Sequence, residues 1–428
     1  MIATPDEYYR VFQAAVGDPS NTNVTAYGEV STPRELVCDM LDALPSHVWL
    51  NSKLKWYEPA CGLAPFLYEV YQRLMVSLQS ELPDEASRCR HIVEEMLIFN
   101  EIQAKNITLV KQLFRADRYH LNLIEGCFFK AAVNADVVVG NPPYNKIGTK
   151  NSGNAEWMKF VRTVLTTPLL NPGGWLVFVH PAGWRKPESE LSKNKGLVSL
   201  MTHEHQMLHL EMYDAASGKK VFKCGTNYDW YVIENLPAYT TTTVRDTQGQ
   251  QYTLDLLMWS WLPNYGFAQL TPLLATTGEA RCPVIYSRSA YASDKAWVSA
   301  VEGGEFIHPV VKTTPAAGVR YLYSNTDSKG MYGVSKVIFG DSNFDHPIID
   351  MEGKYATGEN AMSIQVESLA EAEELKTALQ TPMVRDLLRN ACLWGNFRLD
   401  WRLFTFLKAR FWQLLLPDRV VSLDSPIH

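Results

Sequence analysis

No stretch of this 428-residue chain is apolar for long enough to span a bilayer, and Met1-Ile2-Ala3-Thr4-Pro5 is no export signal. The 7 cysteines never fall in a Cys-x-x-Cys pair, so neither a disulfide framework nor a zinc site is expected. These absences lead to the expectation of a cytoplasmic protein with no membrane partner and no metal. A surplus of basic residues is missing too, since the formal net charge is −6. The distribution is uneven, however. Between positions 141 and 225, 11 Lys and Arg face 6 acids, and from 381 to 428, 7 face 4. Local basic stretches on an acidic chain favour nucleic acid only slightly, because a solvated face looks the same.

What is present is ordinary globular composition, 46% apolar and 20% charged, on a chain long enough for two domains. The most informative stretch is Ala135-Asp136-Val137-Val138-Val139-Gly140 followed by Asn141-Pro142-Pro143-Tyr144. Three consecutive valines predict a strand covered on both faces. Gly140 and two prolines then stop it and stiffen a loop at its carboxyl end, where open α/β sheets place their ligand crevice. The Asn141 side-chain carbonyl and the Pro142 backbone carbonyl are two fixed acceptors, and Tyr144 is a ring face. That set suits the planar amino group of a nucleobase. A proline-rich turn after a core strand is the bland alternative.

Other segments support an alternating strand–helix reading from Glu58 to Val179. Ser31-Thr32-Pro33 predicts a capped helix start before the helically spaced Leu36, Val37, Met40 and Leu41. Trp56-Tyr57-Glu58-Pro59-Ala60-Cys61-Gly62 predicts a strand and tight turn, and Phe66 onward a helix. Glu95 to Ile102 predicts a second strand ending on Glu101, an acid placed to bond ribose hydroxyls. Trp157–Leu170 reads as an amphipathic helix and Trp175–Val179 as another buried strand. Lys220–Asn227 with Tyr228–Ile233 reads as a hairpin.

Asn141-Pro142-Pro143-Tyr144 resembles the fourth motif of amino-group DNA methyltransferases that use S-adenosyl-L-methionine. Glu58-Pro59-Ala60-Cys61-Gly62 with Phe66-Leu67 resembles their cofactor motif Asp-Pro-Ala-Cys-Gly-Ser-Gly-x-Phe-Leu, with Glu58 for Asp and Leu63-Ala64-Pro65 departing from it by one glycine. The resemblance implies a Rossmann-like, doubly wound class I methyltransferase domain. Its motif order is that of the gamma class of N6-adenine enzymes, similar to the modification enzymes of restriction systems. It assigns Asn141, Pro142, Pro143 and Tyr144 to catalysis on a flipped adenine in double-stranded DNA. Thr32, Pro33, Glu58, Pro59, Ala60, Cys61, Gly62, Glu101, Ile102, Cys127, Phe128 and Asn141 go to the cofactor. Cys127 stands where relatives carry an Asp that bonds the adenine amine. Phe222 is assigned, with Tyr144, to stacking the base, on resemblance to the eighth motif.

The expected domains are 1–236, catalytic, and 237–428, a mixed α+β target-recognition domain entered through Tyr239-Thr240-Thr241-Thr242-Thr243. Asn396, Arg398 and Arg402 lie there in a basic stretch that a solvated face explains equally. A separate restriction endonuclease is a possible partner. Alternatives are methylation of RNA adenine or a protein amide, a silent binding module with the same fold, and a nuclease read from Asp341 or Asp345 before Glu352-Gly353-Lys354. Gly353 as a hairpin turn is the plainer account of that last pattern.

Overall fold

The computed structural model describes residues 1–16, 31–145, 155–188, 192–342, 344–394 and 398–416. These divide into two compact units: residues 1–184 with 189–260, and 185–188 with 261–428.

The first unit is built on one nine-stranded sheet. Its strands are β1 (Trp56–Glu58), β2 (Leu97–Glu101), β3 (Asn122–Glu125), β4 (Ala135–Gly140), β5 (Leu170–Pro181), β6 (Gln206–Tyr213), β7 (Tyr228–Glu234), β8 (Thr242–Arg245) and β9 (Gln251–Leu254). Their order across the sheet is 3-2-1-4-5-7-6-8-9. Strands β3 to β5 in that order run parallel, while β7 inserts antiparallel between β5 and β6. As predicted, Val137, Val138 and Val139 are fully buried, since β4 lies between β1 and β5. The chain winds outward in one direction from β1 and in the other from β4. Their adjacent carboxyl ends therefore form the switch point where such sheets open a crevice.

The unit extends past the expected boundary at 236. The Thr-rich run forms β8, which pairs parallel with β6, and β9 closes back on it. β-Branched threonines suit a half-buried pleat, so the compositional change marks a sheet edge and not a domain end. The predicted hairpin is also corrected. Ala215–Phe222 is a helix, capped by Asp214 accepting from Ser217 N–H at 2.8 Å. Only Tyr228–Glu234 is a strand, and its partners are β5 and β6. Gly218 lets the returning chain press close onto this helix: a Cβ there would lie 2.2 Å from Thr226 O.

The second unit is mixed α and β. It holds an antiparallel four-stranded sheet of residues 284–285, 361–365, 336–340 and 348–350, and a second sheet of 298–299, 320–324, 308–313 and 356–357. The helix Leu369–Gln380 and short helical turns follow. Gly353 takes φ 67°, where a Cβ would strike Val334 N at 2.4 Å, but it is not the hairpin turn expected of it, since the strands on either side, 348–350 and 356–357, belong to different sheets.

Candidate functional site

Three parallel strands end side by side on residues picked out in the sequence. Glu58 closes β1, Glu101 closes β2 and Gly140 closes β4. Gly140 adopts φ 153°, a value side-chain-bearing residues avoid, and this turns the chain into Asn141. Glu58 is buried and accepts Leu67 N–H at 3.1 Å, so it caps the Pro65–Ser77 helix. Burial pushes its carboxyl well above the usual range, and nearby Glu101 adds to this. Between strand and helix, Gly62 takes φ 56° and Ala64 takes φ 59°, ψ 50°. Ala64 thus carries a left-handed conformation at the position where the resembling motif has its second glycine.

Glu101 holds that turn in place. One carboxylate oxygen accepts Gly62 N–H at 2.7 Å, and the other accepts Ile102 and Gln103 N–H at 2.8 and 2.7 Å. Asn100 beside it was missed in the sequence. It accepts from the Tyr57 hydroxyl at 3.0 Å and donates to Gly126 O at 2.7 Å, tying three strand ends together. A fully buried Asn inside an apolar strand was the available signal.

Thr32 does not act as a helix cap. The Arg34–Asp42 helix starts after Pro33 with no side-chain capping bond. Instead the buried Thr32 hydroxyl accepts from Asn141 Nδ2 at 3.1 Å, across 109 positions of sequence. This bond fixes the orientation of the Asn141 amide. Pro142 and Tyr144 are buried, Asn141 and Pro143 half-buried. Tyr144 meets Phe222 edge-on, with ring centroids 6.2 Å apart at 81°. Phe222 sits at the end of its helix, also edge-on to Tyr228, rather than in a hairpin facing Tyr144.

Next to this loop lies a pocket enclosing about 680 Å³ up to its open mouth. It brings together Pro59, Ala60, Glu101, Ile102, Cys127, Phe128 and Pro143, all selected from sequence, and adds Asn100, Gly126, Phe129, Asn145, Glu156 and Phe160. Thr32, Pro33, Glu58, Cys61, Gly62, Asn141, Tyr144 and Phe222 are not among its lining residues. Phe128 stacks on Phe160 at 4.4 Å and 9°, and Phe129 packs edge-on to both. Ile102 and Phe129 remain 49% and 41% exposed at the pocket. Open apolar side chains around few polar groups are what a planar, partly polar ligand requires. Phe160 was predictable only as a helix residue; its place at the pocket depends on tertiary packing.

Asn396 lies outside the described residues. Arg398 pairs with Asp341 at 3.8 Å, and Arg402 is held by Asp400. Asp345 pairs with Arg385 at 2.9 Å. Among the described residues, no three His, Cys, Asp or Glu side chains cluster as metal ligands would, and no helix is long and apolar enough to cross a membrane.

No family model matches the chain. It is 30% identical over 127 residues to an uncharacterized adenine-specific methylase of Mycoplasma pneumoniae, covering 28% of this chain and 30% of that protein. The chain thus spans under a third of that relative's length. Among solved structures it is similar to the type I restriction enzyme EcoKI M protein, at 14% identity and TM-score 0.40, over 57% of this chain and 59% of that one. It is also similar to the type IIL restriction-modification enzyme MmeI in complex with DNA, at 10% identity and TM-score 0.48, over 95% and 67%. A protein from Listeria monocytogenes named as a putative class I S-adenosylmethionine-dependent methyltransferase matches at 14% identity and TM-score 0.37, over 55% and 68%. The resemblance read from the sequence motifs is therefore matched by a curated relative named for adenine-specific methylation.

Proposed function

We propose that this chain methylates the N6 amine of adenine in double-stranded DNA, with S-adenosyl-L-methionine as donor, as a modification enzyme of a restriction system. The observation that carries the reading is the bond from Asn141 to Thr32 at the β1/β4 switch point, beside an apolar pocket edged by Glu101. The pocket's residues fit the cofactor chemically. Ile102, Phe128 and Phe129 offer apolar surface to a purine, and Glu101 is an acceptor suited to ribose hydroxyls. Pro59, Ala60 and Cys127 would line its approach, Gly62 would shape the turn that Glu101 holds beside it, and Thr32 with Pro33 would border its methionine end. When bound, the cofactor supplies a methyl group on a positively charged sulfur, open to attack by a nitrogen lone pair.

The residues of the chain prepare that nitrogen. The adenine amine is a poor nucleophile because its lone pair is delocalised into the ring. Hydrogen bonds donated by its two N–H groups to Asn141 Oδ1 and Pro142 O favour a more tetrahedral nitrogen and turn its lone pair outward. Thr32, by taking Nδ2, sets which end of the Asn141 amide is presented. The catalytic contribution is positioning and preorganised dipoles; one proton of the amine leaves to solvent after the N–C bond forms. A base in duplex DNA must leave the stack to reach Asn141, and Tyr144 with Phe222 would replace the lost stacking.

The test is transfer of labelled methyl to unmethylated duplex DNA, followed by digestion to nucleosides. N6-methyladenine should form with the wild-type chain, and Asn141→Ala should lower the rate by about 10²–10³-fold. Label appearing only in RNA or protein would replace the substrate, and absence of cofactor binding would replace the reading by a silent binding module.

A further inference from the structure

The Ala215–Phe222 helix carries a feature that the methyl-transfer chemistry does not use. Strand β6 runs parallel to β5, so its end at Tyr213 delivers this helix to the same carboxyl edge of the sheet as Asn141. Phe222 touches Tyr144, and Lys219, Lys220 and Lys223, within five positions of sequence around it, have exposed side chains. None of the three pairs with a carboxylate among the described residues, and Asp214, the nearest acid in sequence, is engaged as the helix cap. Lys219 and Lys220 in the last turn suit the negative end of the helix dipole, which accounts for two of them. Lys223 lies beyond the end, in a left-handed conformation at φ 59°, ψ 17°. A lysine there is strained and persists only where its surroundings dictate it. Those surroundings are visible: the backbone at Cys224 and Thr226 is packed onto Gly218 so closely that a Cβ would sit 2.9 and 2.2 Å from their carbonyl oxygens. The return loop therefore pins Lys223 next to Phe222.

We infer that Lys219, Lys220 and Lys223 form a clamp for the phosphates flanking the target base. This rests on the reading of the chain as a nucleic-acid methyltransferase. An extruded base draws its own backbone toward the Tyr144–Phe222 ring pair, and compact ammonium groups meet phosphate oxygens from any direction. Such contacts carry no sequence information and release counterions, so they act on affinity and its salt dependence.

The experiment is fluorescence anisotropy of a short unmethylated duplex titrated with the full chain at several salt concentrations. It compares wild type with Lys219→Gln/Lys220→Gln/Lys223→Gln. The slope of log affinity against log salt should become shallower by about 0.9 per phosphate contact, roughly two to three in all. S-adenosylmethionine affinity, measured by calorimetry, should not change. A charge-matched variant, Arg90→Gln/Lys111→Gln/Arg118→Gln, removes three exposed cations that pair with Glu94, Glu125 and Asp117 and should keep the slope. An unchanged slope in the first variant, or an equal loss in both, overturns the clamp even where the wild type methylates DNA. A lysine-dependent slope in a chain that transfers no methyl to DNA keeps the phosphate contacts, sinks the functional reading, and overturns their placement around a target base.

Discussion

Both units bury acidic side chains, but to opposite ends. In the second unit Asp350 accepts from Lys336 Nζ at 2.8 Å, from Lys354 N–H at 2.7 Å and from Tyr355 N–H at 3.0 Å. Lys336, fully buried, also donates to Met331 O and Val334 O at 2.8 and 3.0 Å. Each charge is answered, and the knot fastens a turn to a strand. At the carboxyl edge of the first unit, Glu58 and Glu101 accept from backbone N–H groups of the neighbouring turns. Glu101 also borders a pocket. Buried charge alone therefore does not mark a site. Acids fastening adjacent turns beside an opening do, because their surroundings leave room for a ligand.

The largest expected effect tests the closed knot. Lys336→Met should destabilise the second unit by about 3–5 kcal/mol in chemical denaturation, since Asp350 would stay buried without its cation. Replacing Asp350 by Leu in the same variant should recover much of the loss; no recovery would mean the pair does more than neutralise itself. A smaller and different effect is expected at the open edge. Thr32→Val keeps the shape and removes the acceptor for Asn141, so methyl transfer should fall roughly tenfold, in line with about 1–2 kcal/mol for a hydrogen bond lost at a buried polar group. Cofactor affinity should fall less than the rate, because Thr32 would border the cofactor's methionine end as well as orient Asn141. A loss in affinity as large as that in rate would assign Thr32 to the cofactor itself and not to orienting Asn141. The smallest effect concerns the turn. Ala64→Gly should relieve about 1–2 kcal/mol of left-handed strain while losing a buried methyl group of about 0.8 kcal/mol. Thermal denaturation should show a gain of up to about 1 kcal/mol, and a lower midpoint would show that packing of the methyl outweighs the strain.

Much of the edge was legible because its parts are local. Consecutive valines make a buried strand wherever they occur in such a sheet, and Gly140 with two prolines must end it. The turn after Glu58 was legible for the same reason, although the alanine at position 64 hid how far its backbone follows the glycine-rich pattern. Legibility failed where a local rule had two outcomes. Ser31-Thr32-Pro33 reads as a cap, yet Thr32 spends its hydroxyl on Asn141. Lys220–Asn227 reads as strand, yet Gly218 admits a helix with the chain folded back on it. The threonines after Tyr239 read as a domain boundary, yet Thr242 and Thr243 open β8, which pairs with β6.

The sequence by itself determined the β4 strand, the stiff Asn141-Pro142-Pro143-Tyr144 loop and the turn after β1, since steric limits on glycine, proline and β-branched residues act within a few positions. Only the tertiary structure decided that Thr32 meets Asn141, that Phe160 joins Phe128 at the pocket, and that Phe222, with the lysines beside it in sequence, meets Tyr144. Those contacts join segments tens of positions or more apart, and their geometry follows from strand order, which no local rule contains.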